Sequence, residues 1–211
     1  MNTNSKEFWD RFYLNEIEKG LDQRSDPLRW DLINNYIKDG DKLLDFGCGR
    51  GQFLIYLLRN KQRKIIPYGL DISEIALNYA YSQNNRIKII KNINLLPVSL
   101  NFDIITVIHT LEHIKNPKKL IYKLAKLLKP GGLLVVVLPI NDDEWPPHYK
   151  IWQLEDIIKL LETIPCKYKI FYRKEIVIPK GYRGFKVHTL LCHKDGRKKE
   201  EAIIFITFGG D

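Results

Sequence analysis

The sequence predicts an α/β fold, a doubly wound and mostly parallel sheet of about seven strands with helices on both faces and an antiparallel C-terminal strand. Three observations carry that expectation. Short apolar runs alternate with amphipathic helical stretches between residues 42 and 163. The first run leads through a glycine-rich loop, Gly47-Cys48-Gly49-Arg50-Gly51, into a helix. The most apolar run, residues 133–138, has the unbroken character of a strand covered on both faces.

Taken in order, Ser5 stands where it can cap a first helix, in which Phe8, Trp9, Phe12 and Tyr13 recur at helical spacing. Asp26-Pro27 begins a second helix with Leu32, Ile33, Tyr36 and Ile37 facing inward. Residues 42–46 read as the first strand, and Phe53, Leu54, Leu57 and Leu58 mark the helix after the glycine loop. Residues 65–70 give the second strand, Ser73 caps a helix, and residues 87–90 and 102–108 give the third and fourth strands. Asn116-Pro117 supplies a capping side chain and a first-turn proline to a helix carrying Leu120, Ile121, Leu124, Leu127 and Leu128. Lys129-Pro130-Gly131-Gly132 is expected to end that helix before the fifth strand, and another helix follows near residues 153–163. Beyond Pro165, residues 168–178 and 202–208 favour strands, whereas residues 181–193 fit a strand, a short helix or a lid equally well.

The 211 residues are 45% apolar and 28% charged, enough to build one core, which excludes a disordered chain. No apolar run approaches the ~18 residues of a membrane-spanning helix, so no membrane partner is expected, and no secretion leader is read at the N-terminus. Three cysteines, Cys48, Cys166 and Cys192, are an odd number of scattered free thiols, which suits a reducing, cytoplasmic location. The formal net charge is +9, yet residues 166–200 hold 11 basic against 3 acidic side chains, so almost all of the excess lies there.

The chemical signal is strongest in Asp45-Phe46-Gly47-Cys48-Gly49-Arg50-Gly51. Glycines let the backbone turn sharply and let a ligand approach it, and the helix that follows offers N–H groups to a carboxylate or phosphate. A nicotinamide dinucleotide site would space its glycines G-x-G-x-x-G; here the third glycine comes one residue early, at Gly51, and Gln52 stands in its place.

The pattern D-x-G-x-G-x-G after an apolar strand resembles the first motif of the class I S-adenosylmethionine-dependent methyltransferases. Four further stretches are similar to that family in the same order. They are Gly69-Leu70-Asp71-Ile72-Ser73, Asn92-Ile93-Asn94-Leu95-Leu96-Pro97 followed by Phe102-Asp103, Leu111-Glu112-His113-Ile114-Lys115-Asn116-Pro117, and Leu128-Lys129-Pro130-Gly131-Gly132 before an apolar strand. The likeness spans residues 42–138, about half the chain. It implies a Rossmann-like fold and S-adenosyl-L-methionine as cofactor, bound by Asp45, Gly47, Cys48, Gly49 and Gly51. It further implies that Asp71, with Ile72 beside it, accepts the ribose hydroxyls and that Asn92 and Ile93 meet the adenine. Asn92 departs from the aspartate common in the family, so its amide carbonyl or a backbone group must take the adenine amino group. His109, after the fourth strand, either lines the cofactor pocket or is an ordinary strand-end histidine. Glu112 and His113 are read mainly as structural.

In a doubly wound sheet the acceptor site forms outside the carboxyl ends of the strands, which singles out residues 139–150 with Asp142, Asp143, Glu144, Trp145, His148 and Tyr149. His148 is the candidate general base, or else a loop histidine bracing the next helix. The aromatic stripe of the first helix either covers the cofactor or packs on the sheet. The single domain is thus divided into a helical cap over residues 1–40, a cofactor core over 41–140, and an acceptor-side loop with C-terminal strands over 141–211.

The expected activity is transfer of a methyl group to an oxygen or nitrogen of a small molecule. The interleaved Lys, Arg and aromatic residues of 167–199 keep RNA as an alternative acceptor, and a non-catalytic cofactor-binding module is the third reading. No metal is expected, because His188, Cys192 and His193 lack a fourth ligand at recognisable spacing.

Overall fold

The computed structural model describes residues 4–20, 27–96, 100–142, 148–174 and 200–208. Two helices, α1 (Lys6–Glu18) and α2 (Pro27–Asn34), precede the sheet. Then follow β1 (Lys42–Phe46), α3 (Gln52–Arg59), β2 (Ile66–Leu70), α4 (Glu74–Gln83), β3 (Lys88–Ile90) and β4 (Phe102–Ile108). The chain continues through α5 (Pro117–Ala125), β5 (Leu128–Ile140), α6 (Leu154–Glu162), β6 (Lys167–Lys174) and β7 (Glu200–Thr207). The strands form one seven-stranded sheet in the order β3-β2-β1-β4-β5-β7-β6. The first five pair in parallel, and β7 lies antiparallel between β5 and β6.

The helix starts are set locally, as their capping residues predict. Ser5 Oγ accepts a hydrogen bond from Phe8 N, Ser73 Oγ from Ala76 N, and Asn116 Oδ1 from Lys119 N. Two helices end earlier than expected. α2 stops at Asn34, and Tyr36, expected to face inward on it, is exposed. α5 stops at Ala125, and Lys129-Pro130-Gly131-Gly132 belongs to the irregular start of β5 instead. Phe102 of β4 pairs with Leu128 while Ile104 pairs with Leu133, so the extra residues of β5 bulge out between the two. The physical reason is the pairing itself, because Leu128 already pairs with Phe102 of β4 before the glycines and leaves them inside a strand.

Alternating side chains of the central strands enter two cores. Leu134, Val136, Leu138 and Ile140 of β5 join Ile121 and Leu124 of α5 and Ile157 and Leu161 of α6. Val135 and Val137 join Ile33 of α2 and Phe53, Leu54 and Leu57 of α3 on the opposite face. β7 splits likewise, with Ala202, Ile204 and Ile206 on the first face and Ile203 and Phe205 on the second. The period of two buries these strands on both sides and fixes their register, since a slip by one residue would exchange the two faces. Residues 175–199, including 181–193 and most of the basic segment, lie outside the described residues.

Candidate active site

The direction of winding reverses between β1 and β4, and the loops leaving their carboxyl ends meet there. After β1, Gly47, Gly49 and Gly51 all take left-handed backbone angles, with φ of 76°, 52° and 77°. Glycine is required at Gly47, where a Cβ would run into the Thr110 side chain, and at Gly51, where it would come within 2.9 Å of Ala80 Cβ. The N–H groups of Gly47 and Cys48 donate to Leu70 O at 2.7 and 2.9 Å, and Gly49 N donates to Asp71 Oδ2 at 2.8 Å. These three donors are turned to the end of β2. Buried N–H groups need partners, and β2 supplies them. α3 then opens at Gly51 with no side-chain cap.

Asp71 therefore straps the loop to β2. Its second oxygen accepts Ser73 N at 2.9 Å. Burial pushes its carboxyl up, against the pull of the Ser73, Gly49 and Ile72 N–H groups. Asp45 lies deeper, with Oδ1 accepting from Thr106 Oγ1 at 2.8 Å. Burial pushes it up to about 7, partly offset by the Thr106 hydrogen bond. Cys48 is buried too, and burial holds its thiol far above the usual range. On the outer side, Ile72 is 50% exposed, Ile93 is half-buried, and exposed Asn92 spends its Oδ1 on Asn94 N at 2.9 Å, capping a 3₁₀ turn over Ile93–Leu95. Asp71, Ile72, Asn92 and Ile93 thus line the carboxyl ends of β2 and β3.

α1 crosses this edge. Asp10 Oδ1 accepts from Ser73 Oγ at 2.6 Å and from Ile75 N at 3.3 Å, and its Oδ2 meets Lys6 Nζ at 2.6 Å. Glu16 Oε2 lies 3.1 Å from the buried Arg50 guanidinium. The Tyr13 hydroxyl sits against the glycine loop, 2.8 Å from where a Cβ on Gly49 would be. None of the α1 residues is fully buried; of its aromatic stripe, Tyr13 lies against the glycine loop and Trp9 against His113. Arg50, Glu16 and Asp10 were not singled out from the sequence. Their partners lie dozens of residues away, and only the Lys6/Asp10 spacing was a local signal.

β4 leads out into His109, a non-glycine residue at φ 48°, and a 3₁₀ turn over Leu111–His113. Such an angle costs energy and persists where surrounding contacts fix it. Here His109 Nδ1 lies 3.7 Å from Glu112 Oε1, and Nε2 lies 3.4 Å from Glu201 Oε2, which Arg29 holds at 2.6 Å. Burial and the Arg29 charge lower the His109 pKa, but the hydrogen bonds to Glu112 and Glu201 outweigh them and leave it raised. Burial works to raise Glu201, yet His109 and Arg29 hold it down to about 2. Arg29 and Glu201 had no local sequence signal, because they come from α2 and β7.

The acceptor-side loop is anchored to the same turn. Tyr149 N donates to Glu112 O at 2.9 Å, and His148 Nδ1 lies 3.0 Å from Asp142 O. The His113 ring stands edge-to-face with both Trp9 and His148, each at 5.0 Å between centroids. His148 and the Leu111–His113 turn are therefore neighbours, though 35 residues separate His113 from His148. Asp143, Glu144 and Trp145 lie outside the described residues, as do His188, Cys192 and His193.

A family model described as a methyltransferase domain matches residues 16–168. A ubiquinone biosynthesis O-methyltransferase from Coxiella burnetii (strain RSA 493 / Nine Mile phase I) is 35% identical over 154 residues, covering 70% of this chain and 64% of its own. The chain thus spans just under two thirds of that relative's length. One of the same description from Pseudomonas fluorescens (strain Pf0-1) is 29% identical over 176 residues, covering 79% of this chain and 72% of its own. Among solved structures, a TehB-like SAM-dependent methyltransferase from Corynebacterium glutamicum superposes with a TM-score of 0.60 at 16% identity, covering 97% of this chain and 98% of its own. A plantazolicin methyltransferase gives 0.65 at 20% identity, with 92% and 91% covered. The structural likenesses speak to the fold. With the family match across most of the sheet, they lead to one conclusion: the chain belongs to the class I S-adenosylmethionine-dependent methyltransferase family.

Proposed function

We propose that this chain binds S-adenosyl-L-methionine and transfers its methyl group to an oxygen or nitrogen of a small-molecule acceptor. The observation that carries the reading is the strapped loop at the switch point, with Gly47–Gly51 fixed to the end of β2 by Asp71 and backed by the buried Asp45. The donor set fits such a cofactor. Two buried carboxylates are both pushed up by burial, and a cationic ligand beside them would reverse that shift. In this reading the loop from Asp45 to Gly51 holds the amino-acid end, Asp71 accepts the ribose hydroxyls, and Ile72, Asn92 and Ile93 flank the adenine. His109 closes the pocket at the end of β4.

When bound, the sulfonium supplies an activated methyl group, so the protein's work is binding, alignment and exclusion of water. α1, pinned through Asp10 and Glu16, covers the loop edge and does the excluding. On the acceptor side, a carbonyl oxygen only accepts, so His148 Nδ1 must donate to Asp142 O, and in the neutral ring Nε2 carries the lone pair. With no cation on Nε2, His148 is the group placed to accept a proton from the acceptor.

The small-molecule class is supported by the relatives, two of them described as ubiquinone biosynthesis O-methyltransferases and one as a plantazolicin methyltransferase. The basic segment that kept RNA as an acceptor lies mostly outside the described residues. The test is calorimetry with S-adenosylmethionine and S-adenosylhomocysteine against a nicotinamide dinucleotide, followed by transfer of labelled methyl into a fractionated extract. Binding of the first two with label in the metabolite fraction supports the proposal. Label in RNA moves the acceptor to the alternative class, binding without any labelled product makes the chain a binding module, and dinucleotide binding alone overturns the reading.

A further inference from the structure

The turn after β4 and the acceptor-side loop bring together one carboxylate and two imidazoles that the cofactor reading does not use. Glu112, His113 and His148 each offer a ligand atom, and these atoms all lie within 4.8 Å of one another. Glu112 is 1% exposed, and its Oε2 has no hydrogen-bonding partner among the described residues. A buried carboxylate oxygen left in that state is costly, and a cation held with the two imidazoles would remove the cost. The second ring adds an independent sign. A metal-binding imidazole commonly donates its other N–H to a carbonyl, which fixes the tautomer, and His148 Nδ1 has Asp142 O at 3.0 Å in that role, which puts the lone pair on Nε2. The backbone prepares the site as well, because Tyr149 N donates to Glu112 O and fastens the loop beside the turn.

We infer that Glu112, His113 and His148 form a binding site for one divalent transition-metal ion. Two imidazoles and one carboxylate suit zinc or another borderline ion over magnesium or calcium, which prefer oxygen ligands alone. Three protein ligands leave a coordination position open, the arrangement of catalytic zinc sites as opposed to structural ones, which are closed by four. Such an open position would take an oxygen donor. The binding claim stands on the geometry alone, whereas the use of the open position for an acceptor oxygen rests on the methyl-transfer reading. This revises the sequence expectation of no metal. The signal was the Glu-His pair, but its third member lies 35 residues on and joins it only through the fold.

The test uses the full chain, stripped with chelator and without cofactor, so that it does not depend on methyl transfer. Zinc and manganese are titrated by calorimetry, and cobalt is added as a spectroscopic probe. The expected result is one zinc per chain and a visible cobalt band of four- or five-coordinate type. His148→Ala, in the half-buried loop, is expected to weaken zinc binding by at least tenfold while circular dichroism stays unchanged. Glu112→Gln and His113→Ala should do the same. If Glu112→Gln fails to fold, the two histidine variants still decide. No stoichiometric zinc, or zinc binding indifferent to His148→Ala and His113→Ala, overturns the site and returns Nε2 of His148 to its role as proton acceptor.

Discussion

Asp45 shows how much one buried carboxyl can couple to its surroundings. Its ordinary value is 3.8, and burial lifts it to about 7 despite the hydrogen bond from Thr106. An acid raised on folding favours the folded state most below its unfolded value, and that contribution is lost as pH rises through the folded value. Stability should therefore fall between about pH 4 and pH 7, and Asp45→Asn should flatten the fall, read as the urea midpoint against pH. An unchanged slope would show that Asp45 does not carry the titration. Gly47 makes a second prediction at this scale. Gly47→Ala must place a methyl group against Thr110 at a left-handed angle, so a loss of roughly 1–3 kcal/mol is expected in urea unfolding, with cofactor binding lost alongside. Both residues could be singled out in the sequence by motif. Their electrostatics could not, because burial is a property of the neighbours that β2 and β4 supply.

Among the elements, α1 and α4 are joined by one small contact with two duties. Ser73 Oγ accepts from Ala76 N as the cap of α4 and donates to Asp10 Oδ1 of α1. Ser73→Ala should cost about 1–2 kcal/mol through the lost cap. It should also speed hydrogen exchange in α1 beyond its effect on α4. Asp10→Asn should loosen α1 with the cap intact, and equal protection of α1 in wild type and Asp10→Asn would contradict the docking role. The helix starts at Ser5, Ser73 and Asn116 were legible because a cap is a contact within three residues. The end of α5 was not. Pro130-Gly131-Gly132 carries the composition of a helix stop, but Leu128 pairs with Phe102 across the sheet, and that long-range pairing makes the segment a bulge inside β5.

Across the whole molecule, the ion pair between Arg29 and Glu201 ties α2 to β7, near the two ends of the described chain. Both side chains are largely buried, and Glu201 is held down to about 2 by His109 and Arg29 against the effect of burial. A depressed acid contributes stability above its unfolded value of 4.5, and that contribution is lost as pH falls toward 2. Arg29→Ala leaves a buried carboxylate without its guanidinium, a loss of about 3–5 kcal/mol at neutral pH. The double variant Arg29→Ala/Glu201→Gln should recover much of it, and a double variant no more stable than the single one would refute the coupling. Tyr36 reinforces the same junction, with its ring 4.3 Å from that of Phe205.

What the sequence settled alone was the alternation of strands and helices, the capped helix starts, the glycine loop and the family. Each of these is written in neighbouring residues, through periods of two and 3.6, side-chain caps and short spacings. Only the tertiary structure decided that Asp71 holds the loop, that α1 lies over it through Asp10 and Glu16, and that His109 sits between Glu112 and Glu201. It likewise placed His148 beside His113. Those contacts join residues far apart in the chain, and they exist because a doubly wound sheet gathers the carboxyl ends of its strands at one edge.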